Sequence, residues 1–169
     1  MPYKRCPEVC HSSLQSETYH TSVLIECLIQ KGDLNDAERY SQMTLDNLKD
    51  PANKIDQESE AMAKGYYNMG RVINDQKGDL MRAGTMARES LRIRALLYGN
   101  DHHLVGNSVA LLAGIFRKQG NLGDEVKELY ERSLSIDVKH EGPDGVNTSI
   151  SNSNLGLFYR TLAEITLNA

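Results

Sequence analysis

The sequence predicts an all-α fold built from about three and a half repeated helical hairpins, with seven helices in total. Aromatic residues make up only 6% of the 169 residues, tryptophan is absent, and no β-branched run of strand length occurs. Amphipathic stretches fill most of the chain, and three short motifs of similar sequence separate some of them. An apolar content of 40% is enough for a chain of this length to bury a core of its own.

Three stretches of similar sequence mark the tips of the hairpins. They read QKGDLNDA from Gln30, QKGDLMRA from Gln76 and KQGNLGDEV from Lys118. In each, we expect the glycine to end a helix in the left-handed conformation and the next residue to cap the following helix. A leucine then begins a new apolar stripe, so the two helices should pack antiparallel. The glycines and their capping partners are Gly32 with Asp33, Gly78 with Asp79, and Gly120 with Asn121.

The motifs return at a nearly constant interval, which is typical of repeat proteins. The three glycines are 46 and 42 residues apart, and four apolar pairs recur at intervals of 45, 43 and 43 residues: Leu24-Ile25, Met69-Gly70, Leu112-Ala113 and Leu155-Gly156. We therefore predict a disordered N-terminal end at residues 1–11, and a repeat domain at 12–169 with units at 12–55, 56–100, 101–143 and, incomplete, 144–169. The helices are expected near residues 12–31, 34–49, 56–77, 79–97, 102–119, 122–139 and 146–166.

Charge and composition exclude several classes of protein. A net charge of −4 and a sequence pI near 5.7 argue against nucleic-acid binding, which needs a basic surface. No apolar run approaches the roughly 18 residues of a membrane span. The chain starts without the apolar segment of a signal peptide, and its three cysteines, Cys6, Cys10 and Cys27, leave at least one unpaired. These features favour a cytoplasmic protein.

The pair His102-His103 could suggest metal or acid–base chemistry, but its surroundings favour a structural interpretation. We expect Asp101 to cap a helix and the two histidines to occupy its first turn, where adjacent side chains point about 100° apart. Asp144 stands 43 residues later at the equivalent place without a histidine pair. Zinc sites on helices instead use histidines four residues apart. No metal site is predicted here.

Other catalytic patterns are also missing from the sequence. Cys6, Cys10 and His11 offer three possible zinc ligands but no defined fourth. Gly99 and Gly106 follow no strand and precede no Gly-Lys-Ser/Thr phosphate motif, and there is no Gly-x-Ser-x-Gly elbow. We therefore predict a protein that is not an enzyme and needs no cofactor.

Residues 91–136, LRIRALLYGNDHHLVGNSVALLAGIFRKQGNLGDEVKELYERSLSI, resemble the repeats of kinesin light chains, a long-repeat branch of the tetratricopeptide family. The resemblance extends over about residues 80–159. It departs from the family where a His-Pro pair is usual, here His102-His103, and where two asparagines are usual, here Ala110-Leu111. It implies a right-handed α-solenoid. The residues that carry it are Gly99, Asp101, His102, Val105, Ser108, Leu112-Ala113, Phe116, Gln119-Gly120, residues 129–134 and Ile136, then Gly142-Pro143-Asp144, Thr148-Ser149, Leu155-Gly156 and Tyr159.

In this family the first helix of each unit lines a concave groove, so the resemblance also implies a binding surface. The residues expected to line this groove, given at the end of this paragraph, are more basic than the chain as a whole. We therefore predict a non-catalytic adaptor or scaffold that binds an extended, acidic peptide of another protein, with arginines pairing to its carboxylates. The groove residues would be Lys64, Tyr67, Asn68, Arg71, Asn107, Arg117, Lys118, Ser153, Asn154 and Arg160, with Ser22 and Glu26 from the first unit.

Two alternative functions remain open at this point. The fourth unit lacks a second helix, so its first helix should leave an apolar face that includes Leu157 and Phe158 uncovered. Such a face fits a structural segment of a longer repeat array, or self-association of this chain. The chain could equally be the regulatory domain of a larger multidomain protein.

Overall fold

The computed structural model describes residues 7–76 and 78–167, with side chains from residue 18 onward. The described residues form seven α-helices and one short 3₁₀ helix, Pro51–Asn53, and contain no strand. The predicted all-α fold is therefore confirmed. The helices are α1 (Pro7–Lys31), α2 (Leu34–Lys49), α3 (Glu60–Asp75), α4 (Leu80–Tyr98), α5 (His103–Lys118), α6 (Asp124–Glu141) and α7 (Val146–Leu167).

The helices form three hairpins, α1–α2, α3–α4 and α5–α6, followed by α7. Successive first helices contact one another, α1 with α3, α3 with α5, and α5 with α7, and we call these four the inner helices. Outer helices α2 and α4 meet through side chains, as where Arg82 donates to Glu38 at 3.1 Å and to Gln42 at 2.7 Å. Because the inner helices lie closer together than the outer ones, the stack is concave on its inner face.

Two of the three predicted glycine turns form as expected. Gly32 and Gly120 both have φ of +84°, a conformation that costs a residue without Cβ nothing. Gly78 does not occupy the place of Gly32 and Gly120, so that part of the prediction is wrong. Its N–H bonds to Ile73 O, as the N–H of Asn121 bonds to Phe116 O. One extra residue between Met69 and Gly78 thus shifts this glycine one place beyond the helix-ending position.

The predicted hairpin caps are correct in one turn of three. Asp79 accepts the backbone N–H groups of Met81 and Arg82 at 3.0 and 3.1 Å. Asp33 precedes α2 but its side chain makes no capping bond. Asn121 accepts from the N–H of Gly123 at 3.1 Å, which forms a local turn and delays the start of α6 to Asp124.

The connectors between hairpins are capped differently from the prediction. Imidazole Nδ1 of His102 accepts the Leu104 N–H at 3.2 Å, so His102 caps α5 in place of Asp101. The Asp101 carboxylate instead pairs with Lys139 of α6 at 2.9 Å. At the start of α7 the N–H of Asn147 bonds to the Glu141 carboxylate at 3.0 Å, a role expected of Asp144. In both connectors a neighbouring side chain, His102 or Glu141, takes the capping role expected of the aspartate.

The ends of some helices also differ from the sequence expectation. Helix α1 begins at Pro7, and the proposed ligands Cys6, Cys10 and His11 lie outside the residues whose side chains are described. Helix α3 begins at Glu60, because Ser59 accepts the N–H of Met62 and thereby caps it there. Within the described part of the chain no cluster of three or more His, Cys, Asp or Glu side chains could hold a metal ion, and none of its helices is long and apolar enough to cross a membrane.

Small residues allow the paired helices to pack closely, with larger side chains filling the space between layers. A Cβ added at Gly70 would lie 3.3 Å from backbone atoms of Ala83 and Ala87, so α3 approaches α4 directly there. At the C-terminal end, Phe158 is 1% exposed and packs beside Tyr130, with ring centroids 5.8 Å apart. The expectation that Phe158 lies on an uncovered surface is therefore wrong, because this residue anchors α7 to the core.

A pocket on the inner face

A pocket of about 400 Å³ opens on the inner face between α1, α3 and α5. Its size lies in the range of ligand-binding pockets in proteins. Three inner helices and one outer helix supply its walls. The lining residues are Tyr19, Ser22, Val23 and Glu26 of α1; Glu60, Ala63, Lys64, Tyr67 and Asn68 of α3; Arg94 and Tyr98 of α4; and Leu104 and Asn107 near the start of α5.

Part of the predicted groove set meets in this pocket, which we call the inner pocket. Lys64, Tyr67, Asn68 and Asn107 line it together with Ser22 and Glu26 of α1. The other predicted residues lie outside its lining: Arg71, Arg117, Lys118, Ser153, Asn154 and Arg160.

Arg71 is already paired within the protein. Its guanidinium forms a two-point ion pair with Glu26 of α1, in which Nη2 lies 3.1 Å from Oε1 and Nη1 contacts Oε2. Burial by itself would lower the pKa of Arg71, but the Glu26 hydrogen bonds and nearby negative charge raise it above its usual value. Arg71 therefore holds α3 against α1, and Glu26 is neutralised at the edge of the inner pocket.

The three arginines of the predicted set do not occupy one equivalent position. Arg71 stands two residues after Met69, whereas Arg117 and Arg160 stand five residues after Leu112 and Leu155. Their surroundings differ as well. Arg117 Nε donates to the Tyr130 hydroxyl of α6 at 3.4 Å, and the exposed Arg160 lies 3.7 Å from Glu164 on its own helix.

The remaining predicted residues are spread over two inner helices. Lys118 Nζ donates to the backbone oxygen of Asn74 at 2.7 Å and so joins α5 to α3. Ser153 is exposed and donates to Ser149 O at 2.9 Å, while Asn154 is partly buried on the same helix, α7. Lys118, Ser153 and Asn154 therefore lie outside the lining of the inner pocket.

Sequence reasoning missed Arg94, the residue that gives the inner pocket its deepest charge. Arg94 belongs to outer helix α4, is only 5% exposed, and reaches between α3 and α5. Its Nη1 donates to Leu104 O at 2.9 Å and to Ser108 Oγ at 3.0 Å. Its Cζ lies 4.4 Å from the centroid of the Tyr67 ring, a cation–π geometry. The signal that could have revealed it is a charged residue in the apolar stripe of a second helix.

Two tyrosines and two polar side chains complete the chemistry of the inner pocket. Burial raises the pKa of Tyr67, and burial together with the Glu60 carboxylate raises that of Tyr98, so both phenols stay neutral hydrogen-bond donors. Asn68 Nδ2 donates to Ser22 Oγ at 3.3 Å. Lys64 Nζ lies 4.9 Å from the centroid of the Tyr19 ring and has no ion-pair partner among the described side chains.

The sequence of this chain is similar to part of one curated repeat protein. No protein-family model matches the chain. Over 98 residues it is 34% identical to "Tetratricopeptide repeat protein 23-like" of Mus musculus, an alignment that covers 54% of this chain and 20% of that protein. The present chain thus spans only a small part of that relative.

Two crystal structures share the architecture. BtubC (BKLC) from P. vanneervenii superposes with a TM-score of 0.74 at 20% identity, covering 98% of this chain and 61% of that chain. The nearly identical TPR-like repeats of a Podosopora anserina protein named as a kinesin light chain give a TM-score of 0.75 at 16% identity, covering 89% and 69%. At these identities the likeness concerns the fold.

Proposed function

We propose that this chain, whose helical stack resembles tetratricopeptide-like and kinesin light chain-like repeats, is a non-catalytic module that binds an extended peptide of another protein along its inner face. Repeats of this type generally mediate protein–protein interactions, and they do so through concave surfaces made by successive units. The observation that carries the proposal is the inner pocket between α1, α3 and α5.

The inner pocket has the groups that an extended peptide needs. Asn107 and Asn68 are amides that can both donate to and accept from a peptide backbone. Tyr19 and Tyr67 offer flat apolar surface with a polar tip, a combination frequent in peptide-binding surfaces. Lys64 adds a cation that no carboxylate of the described residues neutralises. We therefore propose a ligand with at least one carboxylate.

A peptide-array screen on the purified chain tests this function. Lys64→Ala and Asn107→Ala should each reduce capture of acidic peptides, because both residues line the inner pocket. Lys127→Ala serves as the matched control, since Lys127 lies on outer helix α6 and pairs with Glu131 of the same helix at 3.7 Å. Capture that depends equally on Lys127 and Lys64 would mean that overall charge, not the inner pocket, binds the peptides.

The cytoplasm is the compartment we propose for this activity. Cys27 is an exposed free thiol, which suits a reducing environment.

A second candidate function, a structural segment of a longer array, rests on one face of α7. In α5 Gly106 and Val109 pack against Ile136 of α6, and Ala113 and Phe116, which continue the same helical stripe, are also buried. The equivalent residues of α7, Ser149, Asn152, Gly156 and Tyr159, are exposed, and a Cβ at Gly156 would contact nothing. That face has the small residue which close packing of a partner helix needs.

Light scattering tests whether the exposed face of α7 associates with a second copy of this chain. If the exposed face of α7 associates with a second copy, the chain should be a concentration-dependent dimer that Tyr159→Glu disrupts. Phe158 is unsuitable for this test because it lies in the core. A monomer over the whole concentration range would leave self-association without support. The third alternative, that this chain is the regulatory domain of a larger multidomain protein, stays a proposal.

A further inference from the structure

Arg94 is a buried cation, and its position is unfavourable for the stability of this fold. It is 5% exposed, and among the described residues no carboxylate forms an ion pair with it. Both of its hydrogen bonds are made by Nη1 to neutral oxygens, at Leu104 and Ser108. Burial accordingly lowers the pKa of Arg94. A buried cation without an opposite charge destabilises a folded protein, because it loses hydration that neutral acceptors replace only in part.

The repeat itself shows that the fold does not require an arginine here. Counting by the repeat intervals of 46 and 43 residues, the equivalents of Arg94 are Leu48 in the first unit and Asp137 in the third. Leu48 is 2% exposed and packs with Met62, Ala63 and Ile93 in an apolar cluster. Counted by 43 residues, as for the other inner-helix positions of this pair of units, the equivalent of Ser108 is Gly65, and a Cβ added there would lie 3.3 Å from Leu48 Cδ1. The same place between two hairpins is therefore filled by an apolar side chain that packs against a glycine.

The charges around the inner pocket leave room for one negative group. Lys64 and Arg94 line it as cations, while Glu26 is neutralised by Arg71 and Glu60 is the other carboxylate of the lining. Two cations against one free carboxylate leave a single positive charge in excess. A monoanionic carboxylate balances that excess, and the planar guanidinium matches it with two parallel N–H groups.

We propose that Arg94 is the residue that selects a carboxylate in the peptide ligand, reaching through from the outer helix layer to the inner pocket. This inference rests on the proposed peptide-binding function and names the chemistry of its ligand. Within the described structure Nη2 and Nε of Arg94 have no acceptor, so they are the donors a bound carboxylate would use. Tyr67 holds the guanidinium plane from one side.

The test compares stability with ligand preference in Arg94→Leu, which installs the residue that the first unit already has at this place. The variant should unfold at the same or a higher urea concentration than the parent chain, because the buried charge is removed. Arg94→Met, an unbranched apolar side chain, gives a second variant should leucine pack poorly. Arg82→Leu is the control: it removes an arginine from the same helix, but one that is exposed and pairs with Glu38.

Ligand preference is measured with three peptide pools of equal length. One carries a single glutamate and an amidated C-terminus, one carries glutamine instead, and one carries glutamine with a free C-terminal carboxylate. The parent chain should prefer one of the two carboxylate pools over the neutral pool by about tenfold or more, the range expected for charged hydrogen bonds. Arg94→Leu should lose that preference and Arg82→Leu should retain it. The pool that is preferred shows whether the side chain or the chain end supplies the carboxylate.

Three results would overturn the inference. A preference that survives in Arg94→Leu would assign selection to another residue, and capture of all pools without preference would leave peptide binding intact but refute carboxylate selection. Marked destabilisation by both Arg94→Leu and Arg94→Met would show that the arginine serves the fold. Failure of the parent chain to capture any pool is a different outcome, because it refutes the proposed function together with this inference.

Discussion

Gly70 and Gly156 offer a sharp test of how closely the helices of each hairpin pack. They occupy the same repeat position, one residue after Met69 and Leu155. At Gly70 a Cβ would lie 3.3 Å from Ala83 O and from Ala87 N, both backbone atoms that cannot turn aside. At Gly156 a Cβ would have no neighbour within 4 Å. Alanine should therefore have opposite effects at the two positions.

The expected magnitudes follow from helix propensity and packing. Replacing a glycine inside a helix by alanine stabilises by about 1 kcal/mol where nothing obstructs the methyl group. Gly156→Ala should show this full gain, equal to a rise in melting temperature of roughly 2–4 °C for a chain of this size. At Gly70 the same gain is opposed by overpacking, which costs about 1–3 kcal/mol. The net effect of Gly70→Ala should lie between about zero and 2 kcal/mol of destabilisation.

Urea unfolding followed by circular dichroism measures both variants against the parent chain, and an unchanged dependence on urea concentration confirms that only stability has altered. Equal stabilisation by the two substitutions would refute the close approach of α3 to α4. Destabilisation by Gly156→Ala would mean that the exposed face of α7 is covered in solution, because only a packed neighbour could reject the added methyl group.

Three further predictions concern caps, pH and the anchoring of α7. Asp79→Ala should destabilise the chain by about 1 kcal/mol in urea unfolding because a two-bond cap is lost, whereas Asp33→Ala, which removes no capping bond, should have a smaller effect. Burial, followed by the charges of neighbouring histidines and Arg94, lowers the pKa of His103 below 6.5, so the unfolded chain binds this proton more tightly. The contribution of neutral His103 to the free energy of unfolding should be fully present above pH 6.5 and should decrease as the pH falls through the lowered pKa. In the His103→Asn variant the urea concentration at the unfolding midpoint should therefore change less with pH in that window. Phe158→Ala should cost about 3–5 kcal/mol in thermal unfolding, while Tyr159→Ala at its exposed neighbour should cost far less.

The hairpin architecture could be predicted from sequence because its signals are local. A glycine, a capping residue and a leucine in succession act within one turn, and the fold forms a helix end at each of the three motifs. Even the incorrect detail at Gly78 follows from counting one extra residue after Met69. Repetition strengthened these signals, because the same short pattern appears three times at intervals of 46 and 42 residues.

The capping residues of the connectors were predicted wrongly, because contacts outside the helix end also decide which side chain caps it. Asp101 is a good local candidate for a cap, but Lys139 of α6, 38 residues away, draws its carboxylate, and His102 accepts the N–H in its place. Glu141 likewise takes the place expected of Asp144. A preference worth about 1 kcal/mol is decided by whichever charged partner the tertiary fold brings near. The distant partner, Lys139, cannot be read from the residues beside the helix end, whereas His102 and Glu141 are local alternatives to the aspartates.

The pocket was partly predictable, and its missing residue is instructive. The inner-helix rule selected Lys64, Tyr67, Asn68 and Asn107, which the fold brings together in the lining of one pocket. It overlooked Arg94 because the rule assigns binding to first helices, and a residue at a buried position of a second helix is expected to be apolar. It also treated Arg71 as available, although a carboxylate of the preceding inner helix stands within reach of it.

Equivalent geometry does not mean equivalent chemistry along this inner face. One repeat further along the stack, the places of Lys64, Tyr67 and Asn68 are taken by Asn107, Ala110 and Leu111, and that of Arg94 by Asp137. The equivalent positions one repeat along therefore lack both cations and the aromatic ring, and the buried position holds Asp137, to which Ser151 donates at 2.5 Å. We expect a peptide carboxylate to be attracted at the inner pocket and repelled near Asp137. We therefore expect a bound peptide to have one fixed register, with its acidic group between α3 and α5, because a shift by one repeat would bring that group toward Asp137.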